Sequence, residues 1–330
     1  MASIKPVQSL YYRRRLSGAE GALYDGILSG VLAGKSETQA ESLKGIDLGH
    51  TVLALQHDHP EIFYWDSSRT RYTMYGSGLQ VTYRIELGYY YPLRELPARQ
   101  KRIADSVQRL LRGAESLPPF ARMIHLHDAL ALSISYGGEE NKPFHYHTLE
   151  GPLAGGVGVC GGISKAYKYL MNLGGLSCME VYGNTRDAAG KTGLHAWNIV
   201  HVEGRCHHVD VTWDDNNGSY LSHAYLALSD EEIRYNHWAS ADFPLPPCAS
   251  NRCPLPVARD IPALAEAMVT QHALKQAVTE VRVYGIAGQG AEIFQKLRSH
   301  CWIGRKGRAC NAIKSYGFDP NNHVFTFHWR

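Results

Sequence analysis

A thiol, an imidazole and a carboxylate in reach of one another can break an amide bond at neutral pH, and this chain offers one such set. The stretch "GVGVCGGISKAYKYL" (156–170) carries the thiol. After Cys160, the residues Ile163, Ala166, Tyr167 and Leu170 recur at the spacing of one helical face, with Ser164, Lys165, Lys168 and Asn172 opposite. Gly174-Gly175 closes the run. Cys160 is therefore expected at a helix N-terminus, where unpaired N–H groups and the helix dipole favour a thiolate. The flanking glycines allow another backbone to come close. The competing reading is a buried cysteine packed as a small hydrophobe.

A nucleophile needs a base. Residues 195–212, "HAWNIVHVEGRCHHVDVT", read as two strands joined at Glu203-Gly204. With a two-residue loop, Val202 faces Arg205, and counting outward pairs Trp197 with Asp210 and His195 with Thr212. His195 and Asp210 then share a face as diagonal neighbours about 7–8 Å apart, a distance side chains can bridge. A register shift of one residue would separate them.

Cys160, His195 and Asp210 thus form a candidate nucleophile, base and orienting acid. The histidine takes the thiol proton and returns it to the leaving group. The carboxylate fixes the ring tautomer and steadies the imidazolium. A chain with 17 histidines and seven cysteines also yields such trios by accident, so the residues alone leave triad and coincidence both open.

Three segments tip the balance: "GVCGGISKAYKYLMNLGGLSC", "GLHAWNIVHVEGRCHHVDVTWDD" and "YLALSDEEIRYNHW". In order and spacing they resemble the transglutaminase-like superfamily of papain-related cysteine enzymes, in its bacterial form. The upstream "LQHDHPEIFYW" and "HLHDALALSISY" add to a likeness covering roughly residues 10–250. The resemblance implies an α+β, papain-like core in which Cys160 caps the central helix, and His195 and Asp210 stand on adjacent strands of a packed antiparallel sheet. It also shows departures. Gly161 stands where relatives commonly carry a glutamine, and Glu150 where they carry a tyrosine, both positions expected near the substrate cleft. The backbone N–H of Cys160 remains as an oxyanion donor.

Other elements must hold this core in place. "GALYDGILSGVLAG" behind "YYRRRLSG" has the outline of an export signal, but Glu20 and Asp25 break its apolar stretch, and no window supplies the roughly 18–20 apolar residues of a membrane span. It reads as an amphipathic helix, and the location expected is the cytoplasm. From "HPEIFYWDSS" to Pro92 the pattern suggests strands, clearest in "LQVTYRIEL" (79–87), where apolar and polar residues alternate. Helices are expected over 99–112 and from "SLPPF" to about Ser133. The proline-rich passage 243–257 marks a boundary. Three parts follow: a helix-and-strand region over 1–110, the catalytic core over 111–256, and a small α+β unit over 257–330. In the last, a helix spans 260–277, and strands lie in "AVTEVRVYGI" and "NHVFTFHW".

The 330 residues carry 34 basic and 31 acidic side chains, formally +3, which supplies no electrostatic reason to expect nucleic acid or an anionic membrane as partner. Seven cysteines at irregular spacing read as reduced thiols. On the hairpin register His201, Cys206 and His208 also share the triad's face, a partial zinc set, but a structural site wants four ligands and no C-x-x-C pair completes it. Cys248 and Cys253 fail for the same reason. No metal or cofactor is expected. Trp197 and Trp213 flank the triad strands as candidate substrate-binding residues, against the ordinary role of strand aromatics as core. "RTRY" and "GRKGR" read as solvated loops.

The expected activity is cysteine-dependent acyl transfer on an amide of a protein or peptide. Protease or deamidase action is favoured on the resemblance, and transglutaminase crosslinking follows if a lysine amine is the acceptor. The alternative is a catalytically silent transglutaminase-like scaffold that binds a protein partner.

Overall fold

The structure is a computed structural model that describes residues 10–137, 143–187, 189–215, 220–320 and 322–330. Helix α1 (Gly18–Leu32) starts with a capping box between Ser17 and Glu20, so the first acid in the would-be export segment is a helix cap. The arginine run ahead of it forms a 3-10 turn, and Arg13 pairs with Asp25 at 2.7 Å. Strand β1 (Glu37–Leu43), helix α2 (Leu48–Asp58) and strands β2 (Arg71–Tyr75) and β3 (Gln80–Glu86) follow. These strands make an antiparallel sheet in the order β1-β3-β2, with Val81, Tyr83 and Ile85 of the alternating stretch buried. Between α2 and β2 the expected strand does not form. Pro60–Ile62 is a 3-10 turn, and the chain through Trp65 is buried.

Helices α3 (Leu96–Leu110) and α4 (Pro119–Ala131) both carry proline in the first turn. The two-residue strands β4 (Ser135–Tyr136) and β5 (Val157–Gly158) pair in parallel, and helix α5 (Cys160–Leu173) starts directly after β5. The main sheet is built from β6 (Ser177–Arg186), β7 (Thr192–Val202), β8 (Arg205–Val209), β9 (Leu226–Leu228) and β10 (His237–Ala239), in the order β10-β6-β7-β8-β9. All of its pairings are antiparallel. The short helices α6 (Val211–Asp214) and α7 (Asp230–Ile233) flank β9.

Helix α5 packs on β6 and β7 on one side and on α4 and the 60–62 turn on the others. Its polar face is consequently not wet. Ser164 and Lys168 are buried, and Lys168 Nζ donates to the Cys178 carbonyl at 3.1 Å. One apolar core runs from Tyr12 to Cys248 and encloses this helix. A second core lies in the chain from β11 (Val257–Ala258) through α8 (Ile261–Ala273), β12 (Val278–Val283), α9 (Gly290–His300), α10 (Gly304–Ala312), β13 (Ile313–Asp319) and β14 (Val324–Trp329). Its sheet order is β11-β12-β14-β13. "GRKGR" belongs to α10 and is not a loop. Among the described residues no helix is long and apolar enough to cross a membrane.

Candidate active site

The thiol is placed by the first turn of α5. Val159 is the extended N-cap residue and Cys160 the first helical one, so the sulfur sits where the helix leaves its N–H groups unpaired. The glycines after it are a matter of space. A Cβ on Gly162 would stand 2.2 Å from the Tyr146 carbonyl oxygen, so only glycine lets the segment before β5 lie across the helix start.

The histidine comes from the hairpin. Glu203 and Gly204 adopt φ of 50° and 77°, both left-handed, which closes a two-residue turn between β7 and β8. Val202 pairs with Arg205, and the ladder continues to Asn198 opposite Val209. There the expected register ends. Asp210 leaves the strand and caps α6, its Oδ1 accepting from the N–H groups of Thr212 at 2.9 Å and Trp213 at 3.2 Å. Thr212 is helical and does not pair with His195. The aspartate prefers to cap a helix over extending a ladder, and this bend brings its other oxygen to the histidine.

His195 Nε2 donates to Asp210 Oδ2 at 2.6 Å, which leaves Nδ1 for the thiol, and the ring is hydrogen-bonded to Cys160. The Ala196 backbone N–H also donates to the sulfur. Both His195 and Asp210 are buried, and Cys160 is partly accessible. Burial opposes ionisation of the thiol, but the bond to and charge of His195 outweigh it and hold the Cys160 pKa below its ordinary value. For His195 burial acts downward, and the Asp210 charge and bond together with Cys160 override it, raising the ring to about 10. Asp210 is held well below the usual carboxylate range. Burial would raise it, and the two histidines that bond to it win.

The second histidine, His237 of β10, was not singled out from the sequence although it lies in the "YLALSDEEIRYNHW" segment. Its Nε2 is 3.0 Å from the same Asp210 Oδ2, and the ring stands 4.7 Å from that of Trp213. Only spatial proximity reveals it, because β10 reaches Asp210 by joining the far edge of β6.

The two tryptophans have different places. Trp197 is 1 % exposed and donates from Nε1 to His208 Nδ1 at 3.0 Å, so it backs His195 from inside and does not line a cleft as expected. Trp213 is half-buried, with its ring 5.7 Å from that of His195. The zinc reading of the hairpin also fails on geometry. His201 is exposed, and the Trp197 bond requires a bare Nδ1 on His208, leaving the proton on Nε2, which donates to Asp230 at 2.9 Å. The one lone pair of a neutral ring so protonated is already taken by the Trp197 N–H, so none is left for a metal. Asp230, Cys248 and His208 do cluster, but through these hydrogen bonds, and Asp230 also accepts from the Cys248 N–H at 2.8 Å. Glu150 points elsewhere as well. It is buried and pairs with Arg99 at 2.7 Å, beside a cavity lined also by Arg102 and His145 and not by Cys160 or His195.

A human protein, Kyphoscoliosis peptidase, is 38 % identical over 85 residues. The mouse Kyphoscoliosis peptidase is 27 % identical over 100 residues. Each match spans 24 % of this chain and 13 % or 15 % of the relative's length. Among solved structures, a TGase aligns over 56 % of this chain and 53 % of its own, at 14 % identity and a TM-score of 0.32. The periplasmic domain of TgpA from Pseudomonas aeruginosa, bound to ethylmercury, aligns over 54 % of this chain and 72 % of its own, at 13 % identity and a TM-score of 0.24. No family model matches the chain.

Proposed function

We propose that this transglutaminase-like protein is a cysteine-dependent acyl-transfer enzyme acting on amide bonds of a protein or peptide. The observation that carries the reading is the connected line Cys160, His195, Asp210, with the sulfur at a helix N-terminus and every oxygen of the carboxylate satisfied. The thiolate attacks the amide carbonyl, and the oxyanion meets the Cys160 N–H and the helix dipole. The imidazolium then hands its proton to the departing ammonia or amine, leaving a thioester on Cys160. Water, deprotonated by His195, attacks the thioester and returns the free thiol. An amine in place of water gives a new amide. Hydrolysis, as protease or deamidase, is the favoured outcome, and Trp213 beside His195 covers one side of the reacting centre.

The test is to assay one protein substrate, with and without an added primary amine, after iodoacetamide or EDTA, and to weigh the products. Iodoacetamide on Cys160 is expected to abolish turnover, and EDTA to leave it unchanged. Loss to EDTA but not to iodoacetamide would overturn the cysteine mechanism. A backbone cut, a gain of about one dalton or an amine adduct identifies protease, deamidase or transglutaminase action respectively.

A further inference from the structure

The formal charge of +3 conceals an uneven distribution. From Ile293 to Phe318 the chain carries Lys296, Arg298, Arg305, Lys306, Arg308 and Lys314 and no acid, so the remaining 28 basic and 31 acidic residues are formally negative. The excess gathers where α9 ends and α10 begins. Between these helices stand Trp302, 81 % exposed, and Ile303, 86 % exposed. No other adjacent pair of large apolar side chains among the described residues is exposed to this degree. Two such groups left in water forgo the gain of burial, so a surface that covers them is favoured.

The turn that carries them is built. Cys301 before it and Cys310 after it are buried in the core of the C-terminal unit. Gly304 has φ of 68°, a left-handed value that glycine takes without strain. A Cβ on Gly307 would stand 3.1 Å from the Trp302 carbonyl oxygen, and the Gly307 N–H donates to the Ile303 carbonyl at 3.2 Å. The two glycines of "GRKGR" thus fold α10 back against the turn, and the side chains of Trp302 and Ile303 are left outside. Arg298 lies in the last turn of α9, and Arg305 and Arg308 follow the turn in α10. All three are exposed. At the rise of an α-helix each stands within about 6 Å of the turn along its helix axis, inside the roughly 10 Å over which exposed charges act at 0.1 M salt. Glu266 of α8 faces this end and is engaged by Lys306 at 2.8 Å.

We propose that the α9–α10 turn is a membrane-contact site, at which Trp302 and Ile303 enter the interface of an anionic bilayer while Arg298, Arg305 and Arg308 meet its headgroups. The indole suits the headgroup level, with an apolar body and one N–H donor. The isoleucine is buried among acyl chains, and the guanidinium groups pair with lipid phosphates and carboxylates. A nucleic-acid strand would engage the arginines and stack on Trp302, but it offers nothing to Ile303. The turn belongs to the second apolar core and α5 to the first, so this contact is independent of the chemistry at Cys160.

The full chain is floated with vesicles of phosphatidylcholine alone and of phosphatidylcholine mixed with phosphatidylserine, and its affinity for a single-stranded oligonucleotide is measured in the same buffer. Binding is expected to the anionic vesicles, and it should weaken steeply as salt is raised. Trp302→Ser together with Ile303→Ser should lower vesicle partitioning at least about tenfold, and Arg305→Glu together with Arg308→Glu at least about as much. These four side chains are exposed, so both variants should melt with the parent. A second reading uses Trp302→Phe, which keeps an aromatic ring on the turn. Lipid brominated in its acyl chains should quench part of the parent's tryptophan emission, and that part should be missing from the vesicle-bound Trp302→Phe protein. Parental vesicle binding by the double serine variant, equal binding to neutral and anionic vesicles, or unaltered quenching in Trp302→Phe would overturn the proposal. Binding to the oligonucleotide without binding to vesicles would overturn it in favour of nucleic acid, and absence of both would leave the turn without this role.

Discussion

At the scale of single residues, the proposed chemistry turns on how a buried carboxylate is kept charged. Two backbone N–H groups bond to one oxygen of Asp210 and two histidines to the other, so protonating either oxygen would disturb the pair of bonds made there. Its fixed charge raises His195 to about 10, while the Cys160 thiol titrates below its ordinary value. The thiolate–imidazolium pair should therefore exist between those limits, and they belong to the pair, not to either residue. Measured as kcat/KM against pH, activity is expected to rise at a pH below that of an isolated thiol, about 8.5, and to fall as the solution approaches about pH 10. The iodoacetamide rate should share the lower limb. A single limb with an unshifted thiol midpoint would refute the ion pair. Substitution separates the roles. Cys160→Ala should leave the melting temperature near that of the parent and remove turnover. Asp210→Asn keeps the shape and loses the charge, so it should cost on the order of 10³–10⁴ in kcat and draw the upper limb downward. Near parental rates in both variants would sink the mechanism.

At the scale of elements, the helix that Cys160 starts is held by a buried charge. Glu180 of β6 is fully buried. Its Oε1 accepts from Ser164 Oγ at 2.6 Å and Lys165 Nζ at 3.0 Å, both on α5, and its Oε2 lies 3.2 Å from His57 Nδ1 on α2. Burial acts to raise the Glu180 pKa, but Lys165, His57 and Ser164 lower it below the ordinary value. The network fixes α5 between sheet and helix, and with it the direction of Cys160. Glu180→Leu leaves the Lys165 ammonium buried and unpaired, so a loss of about 3–5 kcal/mol is expected by urea unfolding. Adding Lys165→Met should recover much of that loss. A double variant as unstable as the single one would show that the ion pair is not what α5 depends on. None of this tie was legible in the sequence. The helix and the β7–β8 hairpin were, because both are written locally, in 3.6-residue periodicity and in a two-residue turn. The burial of Ser164 and Lys168 on the polar face of α5 was not, because periodicity cannot reveal that sheet and helices cover a helix from several sides. Asp210 was found, but on a strand it does not occupy, since its preference for capping competes with the ladder. His237 and Glu180 owe their positions to partners from distant parts of the chain.

For the whole molecule, the question is how the last seventy residues bear on a site they do not touch. Two buried charged side chains of β12 make the contact. Arg282 donates to the carbonyls of Asn322 at 2.9 Å and Ala224 at 2.5 Å, and Glu280 accepts from Ser222 Oγ at 2.8 Å and the His223 N–H at 3.1 Å. The segment they grip, 222–225, continues to Asp210, for the Tyr225 carbonyl accepts the Asp210 N–H at 3.0 Å. Glu280 is the weak member. Burial, with Asp214 adding to it, raises its pKa to about 7 against the bonds from Ser222 and His223. The sign follows directly. A carboxyl raised in the folded state binds its proton more tightly there than when unfolded, so its contribution is complete below about pH 4.5 and is lost as pH rises through about 7. Urea unfolding at pH 5 and pH 8 should therefore show a loss on the order of 3 kcal/mol at the higher pH from this group. Glu280→Gln keeps the acceptor for Ser222 without the charge, and should remove that part of the difference, ending more stable than the parent at pH 8. Subtracting the variant's pH dependence from the parent's isolates Glu280 from the histidines that titrate in the same range. An unchanged difference would mean that Glu280 does not govern how the C-terminal strands hold the segment behind Asp210.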